Sequence, residues 1–150
     1  MTEREIVLAL NKYMGENGEA QRLKQSRFST QFIDILVHSW KYGIYAIEHK
    51  SMHNKKGKSL YFSSNFSIDR NGVHQIKRLN KYIHKGGFIG YLVVELRNGA
   101  GKKKDWYAIP WNKVMKIYNS GAKCISYSMF KSKYKFTLKN IGSKLLKVKN

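Results

Sequence analysis

Two apolar runs separated by a short turn signal constrain the fold of this chain more than any other feature. Residues 31–38 and 43–50 are rich in Ile, Val, Phe and Tyr, and the tripeptide "KYG" interrupts them. Runs of β-branched and aromatic residues joined in this way are typical of a β-hairpin. If the two strands pair about this turn, residues whose numbers sum to about 82 face each other, which places Asp34 opposite Glu48.

Other segments with regular apolar spacing predict the elements around this hairpin. The segments "TEREIVLALNKYM" and "GVHQIKRLNKYIHKGG" have helical spacing, with glycines after each, and "WNKVMKIYNSG" predicts a short helix. The segment "FIGYLVVEL" is typical of a strand buried on both faces, and "DWYAIPW" of another strand. The polar, glycine-punctuated "GENGEAQRLKQS" predicts a loop. We therefore expect an α/β fold with a central mixed β-sheet flanked by helices.

The length of the chain predicts one domain. At 150 residues and 42% hydrophobic content it can build one core and is too short for two comfortable domains. From about residue 119 the sequence is basic and only weakly periodic. We expect a core over about 1–118 and a basic C-terminal extension over 119–150.

The charge and the cysteine content narrow the function classes. The chain has 29 Lys and Arg against 9 Asp and Glu, a formal charge of +20, which favours a polyanionic partner, and nucleic acid over a membrane surface. The sequence has no apolar run long enough to span a membrane, and acids near the N-terminus are unlike a signal peptide, so we expect an intracellular protein, in cytoplasm, nucleoid or a virus-infected host cell. A single cysteine, Cys124, excludes an internal disulfide and a cysteine-clustered zinc site.

The hairpin carries the residues that point to chemistry. Side chains alternate along a strand, so Glu48 and Lys50 share one face and His49 points to the other, while Asp34 joins from the neighbouring strand. Two carboxylates can hold Mg²⁺ for phosphodiester hydrolysis, and a nearby lysine can position the attacking water or neutralise charge on the phosphate. The alternative reading is a cross-strand salt bridge on a solvated face.

The order of these motifs resembles the PD-(D/E)XK nuclease superfamily and, within it, the Holliday junction resolvases. The resemblance runs through "EREIV" at 3–7, "FIDIL" at 32–36, "IEHK" at 47–50 and "HQIKRL" at 74–79, and covers roughly residues 3–115. These motifs are similar to the archaeal Hjc type, and "SLYFSSNFSIDRNGVHQI" is similar to the RecU branch. The chain departs from the pattern at Ile33, where the family often has proline, and in a longer insertion between Lys50 and Gln75.

The resemblance implies a restriction-endonuclease-like fold and a role for each matched residue. Asp34, Glu48 and Glu3 correspond to the metal ligands for Mg²⁺, which Mn²⁺ can replace, and Glu5 is the less favoured substitute for Glu3. Lys50 handles the attacking water and Gln75 assists the arrangement, and no small-molecule cofactor is implied. Glu3 and Gln75 also have plain readings, as a first-turn acid and as an exposed helix residue.

Basic and hydroxyl-bearing residues predict the contacts with DNA. They fall in the loop before the hairpin and in two glycine-bearing loops, the composition expected of segments that follow a phosphate backbone, although basic runs usually only solvate a surface. The candidates are Arg22, Lys24, Arg27, Ser29, Thr30, Lys55, Lys56, Lys58, Lys102, Lys103 and Lys104.

These expectations together predict a Mg²⁺-dependent endonuclease that resolves four-way DNA junctions. The two-fold symmetry of a junction predicts a homodimer, for which "FIGYLVVEL" or the helix around Ile76 could supply the interface. Two alternatives stay open: a nuclease of the same fold with another DNA substrate, of restriction, flap or single-strand type, and a non-catalytic basic DNA-binding protein.

Overall fold

The computed structural model describes residues 2–23, 33–53, 59–68, 71–126, 129–130 and 132–149. Five α-helices lie within these ranges. They are α1 (Thr2–Met14), α2 (Phe62–Asn65), α3 (Gln75–Gly86), α4 (Trp111–Asn119) and α5 (Ile141–Leu145), with 3₁₀ turns at Gly15–Asn17 and Ser132–Tyr134. The strands are β1 (Glu19–Arg22), β2 (Ile35–Ser39), β3 (Gly43–His53), β4 (Ser59–Tyr61), β5 (Ile89–Arg97), β6 (Asp105–Pro110), β7 (Cys124–Ser126) and β8 (Lys135–Phe136).

A mixed β-sheet lies at the centre of the fold. Within the described ranges it has six strands in the order β1-β2-β3-β5-β6-β8, and β4 pairs with β7 in a separate two-stranded sheet. The β3–β5 pair is parallel, with α3 in the connection, and the other pairs are antiparallel. The predicted α/β fold with a mixed sheet is confirmed.

The β2–β3 hairpin has the predicted register. Its pairs run from Ile35 opposite Ile47 to Ser39 opposite Gly43, so the numbers of each pair sum to 82. Gly43 has a φ of 99°, a conformation that favours glycine, at the end of the tight turn. Asp34 lies one residue before β2, at the end where Glu48 faces it.

Each face of the central sheet is covered by its own apolar cluster. On one face α3 and α4 pack against β3 and β5, with Ile76, Leu79 and Val114 buried. On the other face α1 contributes Ile6 and Leu10, together with residues of the C-terminal segment. Among the described residues, no helix is long and apolar enough to cross a membrane.

One of the two dimer surfaces suggested by the sequence is occupied within the monomer. The strand in "FIGYLVVEL", β5, pairs with β3 on one side and β6 on the other, and Leu92, Val93 and Val94 are fully buried. Ile76 is also fully buried. The strand β5 and the Ile76 side chain are therefore used by the core, while α3 keeps an exposed face with Lys77 and Lys81, so an interface on this helix stays a prediction.

The segment predicted as a loop after α1 contains an edge strand instead. In β1, Ala20 is buried and the other residues are exposed, so the sequence shows no apolar alternation. The strand is held by pairing with β2 and by the Asn11 side chain, which donates to the Ala20 carbonyl at 2.9 Å and accepts from the Ala20 N–H at 2.7 Å. Tertiary hydrogen bonds determine this strand, and its own residue pattern does not indicate them.

The core extends beyond the boundary near residue 118 that the sequence predicted. Phe136 in β8 and Ile141, Leu145 and Leu146 in and after α5 are buried against α1 and the sheet. Gly142 lies so close to Tyr13 that a Cβ atom there would clash with the ring. Part of the predicted basic extension therefore belongs to the domain core.

Replacing Leu145 with alanine tests this assignment. Because Leu145 is fully buried, we expect Leu145→Ala to lower the free energy of unfolding by about 2–5 kcal/mol. Val148→Ala, at a position 62% exposed in the same segment, should change it by no more than about 0.5 kcal/mol. Urea unfolding of both variants makes the comparison, and equal, small effects would contradict the assignment.

Candidate active site

Asp34 is fixed by the backbone of the strand that it faces. Its Oδ2 atom accepts a hydrogen bond from the His49 backbone N–H at 2.8 Å. Asp34 lies one residue before β2, beyond the last paired residues Ile35 and Ile47. Its side chain therefore lies at the end of the hairpin ladder, next to Glu48 and His49. The register of the hairpin therefore places the Asp34 carboxylate beside Glu48.

Glu48 is the buried centre of this site. Its side chain is 3% exposed, and its Oε2 atom accepts from Gln75 Nε2 at 2.7 Å and lies 3.3 Å from Lys50 Nζ. Gln75 is the first residue of α3, so the start of the helix brings its amide to β3. The Lys50 ammonium also lies 4.7 Å from the centre of the Phe66 ring, a cation–π contact that restrains it.

The electrostatics of the pair favour a bound cation. Burial, and then the charge of Asp34, raise the pKa of Glu48 to about 8, and Lys50 only partly opposes them. Two adjacent carboxylates in a buried site are stabilised either by a shared proton or by a cation. Mg²⁺ is often held by one or two carboxylates with water and substrate phosphate completing its shell, so Asp34 and Glu48 fit this ion. Across the described ranges, no cluster of three or more His, Cys, Asp or Glu is arranged to hold a metal.

Glu3 contacts partners other than Glu48. Its Oε2 atom accepts from Arg22 Nε at 2.8 Å, and its Oε1 atom lies 3.9 Å from His49 Nδ1. Since α1 covers the face of the sheet to which His49 points, Glu3 has Arg22 and His49 as its neighbours, and its role as a metal ligand stays a prediction.

A second charged cluster surrounds His49 on the α1 face. His49 Nε2 lies 3.5 Å from an oxygen of the buried Glu95, and the other Glu95 oxygen is 2.8 Å from Lys104 Nζ. Burial lowers the pKa of His49, although Glu95 and Glu3 oppose this effect. Sequence reasoning missed Glu95 because it lies in an apolar strand with no motif around it.

The predicted DNA contacts are only partly within the described residues. Arg22 pairs with Glu3, Lys104 pairs with Glu95, and Lys102 and Lys103 are exposed. The charge of Lys104 is therefore partly neutralised by Glu95. The remaining candidates lie outside the described residues: Lys24, Arg27, Ser29, Thr30, Lys55, Lys56 and Lys58.

Sequence reasoning also missed the polar segment that borders the site next to Lys50. The backbone N–H of Ser67 donates to Gln75 Oε1 at 3.1 Å, and the Ser67 carbonyl accepts from the Gln75 N–H at 2.7 Å. The segment "FSSNFS", which precedes Gln75, could have indicated it, because its hydroxyl and amide side chains are interleaved with two phenylalanines that can pack into the core. These bonds fix the orientation of the Gln75 amide, whose nitrogen then faces Glu48.

Comparison with known proteins gives a fold match. No protein-family model and no curated protein matches the chain. Among solved structures, it is similar to Archaeoglobus fulgidus Hjc, a Holliday junction resolvase from an archaeal hyperthermophile, with a TM-score of 0.58 and 20% sequence identity over 95% of this chain and 97% of that one. The chain has the fold of this resolvase.

The pKa of Glu48 predicts how stability depends on pH in metal-free protein. Glu48 stays protonated in the folded state up to a pKa of about 8 but ionises near 4.5 when unfolded, so folding takes up a proton between these values. We expect the free energy of unfolding to fall as pH rises through this window, by up to roughly 1.4 kcal/mol per pH unit.

Urea unfolding in EDTA, compared between wild type and Glu48→Gln, measures this effect. The neutral amide cannot ionise, so the variant should lack this component of the slope and gain stability relative to wild type by a few kcal/mol toward pH 8. His49 titrates in both proteins and cancels in the difference. Parallel curves for the two proteins would contradict the assigned pKa shift.

Proposed function

We propose that the protein is a Mg²⁺-dependent, structure-selective endonuclease that cleaves four-way DNA junctions. The observation that carries the proposal is the buried Glu48, which the hairpin register places beside Asp34, with Lys50 Nζ 3.3 Å from it. The fold that carries these residues is similar to that of a protein described as a Holliday junction resolvase. The formal charge of +20 suits a DNA substrate.

Each residue of the site has a distinct role in this proposal. Asp34 and Glu48 would hold the cation, which polarises the phosphodiester and stabilises the charge that develops on it. The Gln75 amide donates to Glu48 and holds one carboxylate oxygen in place, leaving the other for the ion. Glu3 is left out of the ligand set, because Arg22 and His49 engage its carboxylate on the α1 face.

Lys50 acts on the water and the phosphate. Its ammonium is held between the Glu48 carboxylate and the Phe66 ring, which keeps it beside the proposed metal ligands. From this position its N–H groups can orient a water molecule for attack on phosphorus and neutralise negative charge on the phosphate oxygens. The attack breaks one P–O ester bond and leaves one phosphate monoester end and one hydroxyl end.

Selectivity for junctions is assigned to shape and backbone charge. Lysine and arginine bind phosphates without regard to base sequence, so contacts of this kind follow the shape and charge of the DNA backbone. A four-way junction has two-fold symmetry and needs two matched incisions, so the active form is a homodimer in this proposal.

One alternative, a non-catalytic DNA-binding protein, is disfavoured by a specific observation. In an ordinary salt-bridged strand each carboxylate is paired with a cation, and its pKa falls. Here the pKa of Glu48 rises to about 8 despite Lys50, because the site is buried and Asp34 adds like charge. Such an unbalanced carboxylate is typical of functional sites. A nuclease of the same fold with another substrate is separated from a resolvase by the assay below.

Cleavage of a labelled synthetic four-way junction tests the proposal. With Mg²⁺ we expect paired nicks near the branch point and much slower cutting of a linear duplex with the same arm sequences. Glu48→Gln should lower the cleavage rate by about 10³-fold or more, since several kcal/mol of charge stabilisation are lost, while junction binding persists.

Glu19→Gln is the matched control, because it makes the same charge change at an exposed acid of β1 and should cut normally. Equal cutting of duplex and junction would keep the nuclease and discard the resolvase. Binding without cutting under Mg²⁺ or Mn²⁺ would support the non-catalytic protein.

Metal binding has a separate readout in thermal stability. We expect Mg²⁺ or Mn²⁺ to raise the melting temperature of wild type by several degrees, since a ligand at 100 times its Kd stabilises the folded state by about 2.7 kcal/mol. The increase should be lost in Asp34→Asn, which keeps the size of the side chain but removes its charge. An equal increase in both proteins would place the ion elsewhere.

A further inference from the structure

A polar cavity adjoins the candidate active site on the side of Lys50 and Gln75. It has a volume of about 540 Å³ and is lined by Lys50, Ser63, Ser64, Asn65, Phe66, Ser67, Ile68 and Gln75. This volume lies within the range of about 300–1,000 Å³ typical of ligand sites. The proposed mechanism uses Lys50 and Gln75 but gives no role to the other lining residues.

The lining chemistry suits an anion. Lys50 is the charged residue of the lining, no described acid lines the cavity, and the serine hydroxyls can donate hydrogen bonds. The Ser63 hydroxyl has no partner among the described residues, and the Ser64 hydroxyl accepts from Asn65 Nδ2 at 3.3 Å, which leaves its own proton free to donate. Both serines are exposed to solvent.

The segment that carries these groups is held rigidly. Phe62 and Phe66 are buried at either end of α2, with ring centres 6.2 Å apart, and the Phe62 N–H donates to the Lys123 carbonyl at 3.0 Å. Asn65 Nδ2 also donates to the Tyr61 carbonyl at 2.9 Å. These contacts hold the backbone that carries the serines, so less conformational entropy is lost when a ligand binds.

Hydrogen bonds join the wall of this cavity to the carboxylate of the active site. Ser67 binds the Gln75 amide through its backbone, and the same amide donates to Glu48. The cavity and the candidate metal site therefore share one wall, formed by Gln75 and Lys50. A polymeric anion with its reacting phosphate at Lys50 would place a neighbouring unit in this cavity.

We propose that this cavity binds the nucleotide next to the scissile phosphate. Ser63 and Ser64 donate to its phosphodiester oxygens, and Ile68, which is 62% exposed at the rim, contacts its sugar. This inference rests on the proposed nuclease function and adds a binding subsite to it. The contacts are to the backbone, so the subsite positions the strand without reading the base.

Binding experiments in the Glu48→Gln background test the subsite without requiring cleavage. A carboxylate in the cavity should repel the phosphodiester, so we expect Ser63→Glu to raise the Kd for a four-way junction about tenfold more than Ser143→Glu does. Ser143 is an exposed serine of α5 remote in sequence from the cavity, so it controls for the loss of one unit of net charge. Equal effects of the two variants would overturn the proposal.

A neutral methylphosphonate in the DNA identifies the phosphate involved. Placed next to the scissile position, it should weaken binding in the Glu48→Gln background, and this loss should shrink toward none when Ser63→Ala and Ser64→Ala are added. An undiminished loss at both flanking phosphates would contradict the subsite. The Ser63→Glu comparison is a binding measurement that needs no scissile position, so absence of cleavage by wild type would count against the nuclease while this comparison still tests the cavity.

Discussion

The hydrogen bond from the His49 backbone N–H to the Asp34 carboxylate is the contact on which the arrangement of the site depends. It forms because the β2–β3 register brings Asp34 to the end of the strand pair at the level of Glu48. A slip of one residue would turn Glu48 and Lys50 to the α1 face and His49 to the α3 face. The apolar residues on both sides oppose such a slip, since Ala46 and Ile47 are fully buried in different clusters. Packing of the core thus determines which polar groups meet.

Two buried glutamates show how the fold separates a functional charge from a structural one. Glu48 and Glu95 are 2% and 3% exposed, lie on neighbouring strands and each have a lysine within 3.3 Å. Glu95 has the Lys104 ammonium at 2.8 Å, so a cation balances its charge. Glu48 has Asp34 as well as Lys50, which leaves an excess of negative charge that only a proton or a cation can offset. This difference in neighbours, and not burial alone, distinguishes the candidate active site.

The sequence predicted the parts of the fold where local pattern and tertiary structure agree. Two runs of β-branched and aromatic residues about a tight turn predicted the hairpin and its register, and helical spacing followed by glycines predicted α3, which is capped by Gly87 with a φ of 67°. The strand β1 was missed because an asparagine side chain and a neighbouring strand hold it, and it buries one alanine. The C-terminal elements were missed because α5 is too short to show periodicity. The position of Glu3 also depended on which face α1 covers, and the spacing of motifs along the chain does not contain that information.

The parallel pairing of β3 and β5 has a consequence for how such a protein can change. His53 and Arg97 face each other at the C-terminal ends of the two strands. The connections that follow β3 and β5 therefore leave the sheet on the same side, at the ends of these strands. Insertions at these ends would lengthen connections without altering a strand pair, and the register of Asp34 with Glu48 would be untouched. The connections at the surface can therefore change in length and sequence, while Asp34 and Glu48 keep their positions relative to each other. A small scaffold built this way can diversify in what it acts upon without having to evolve its reaction again.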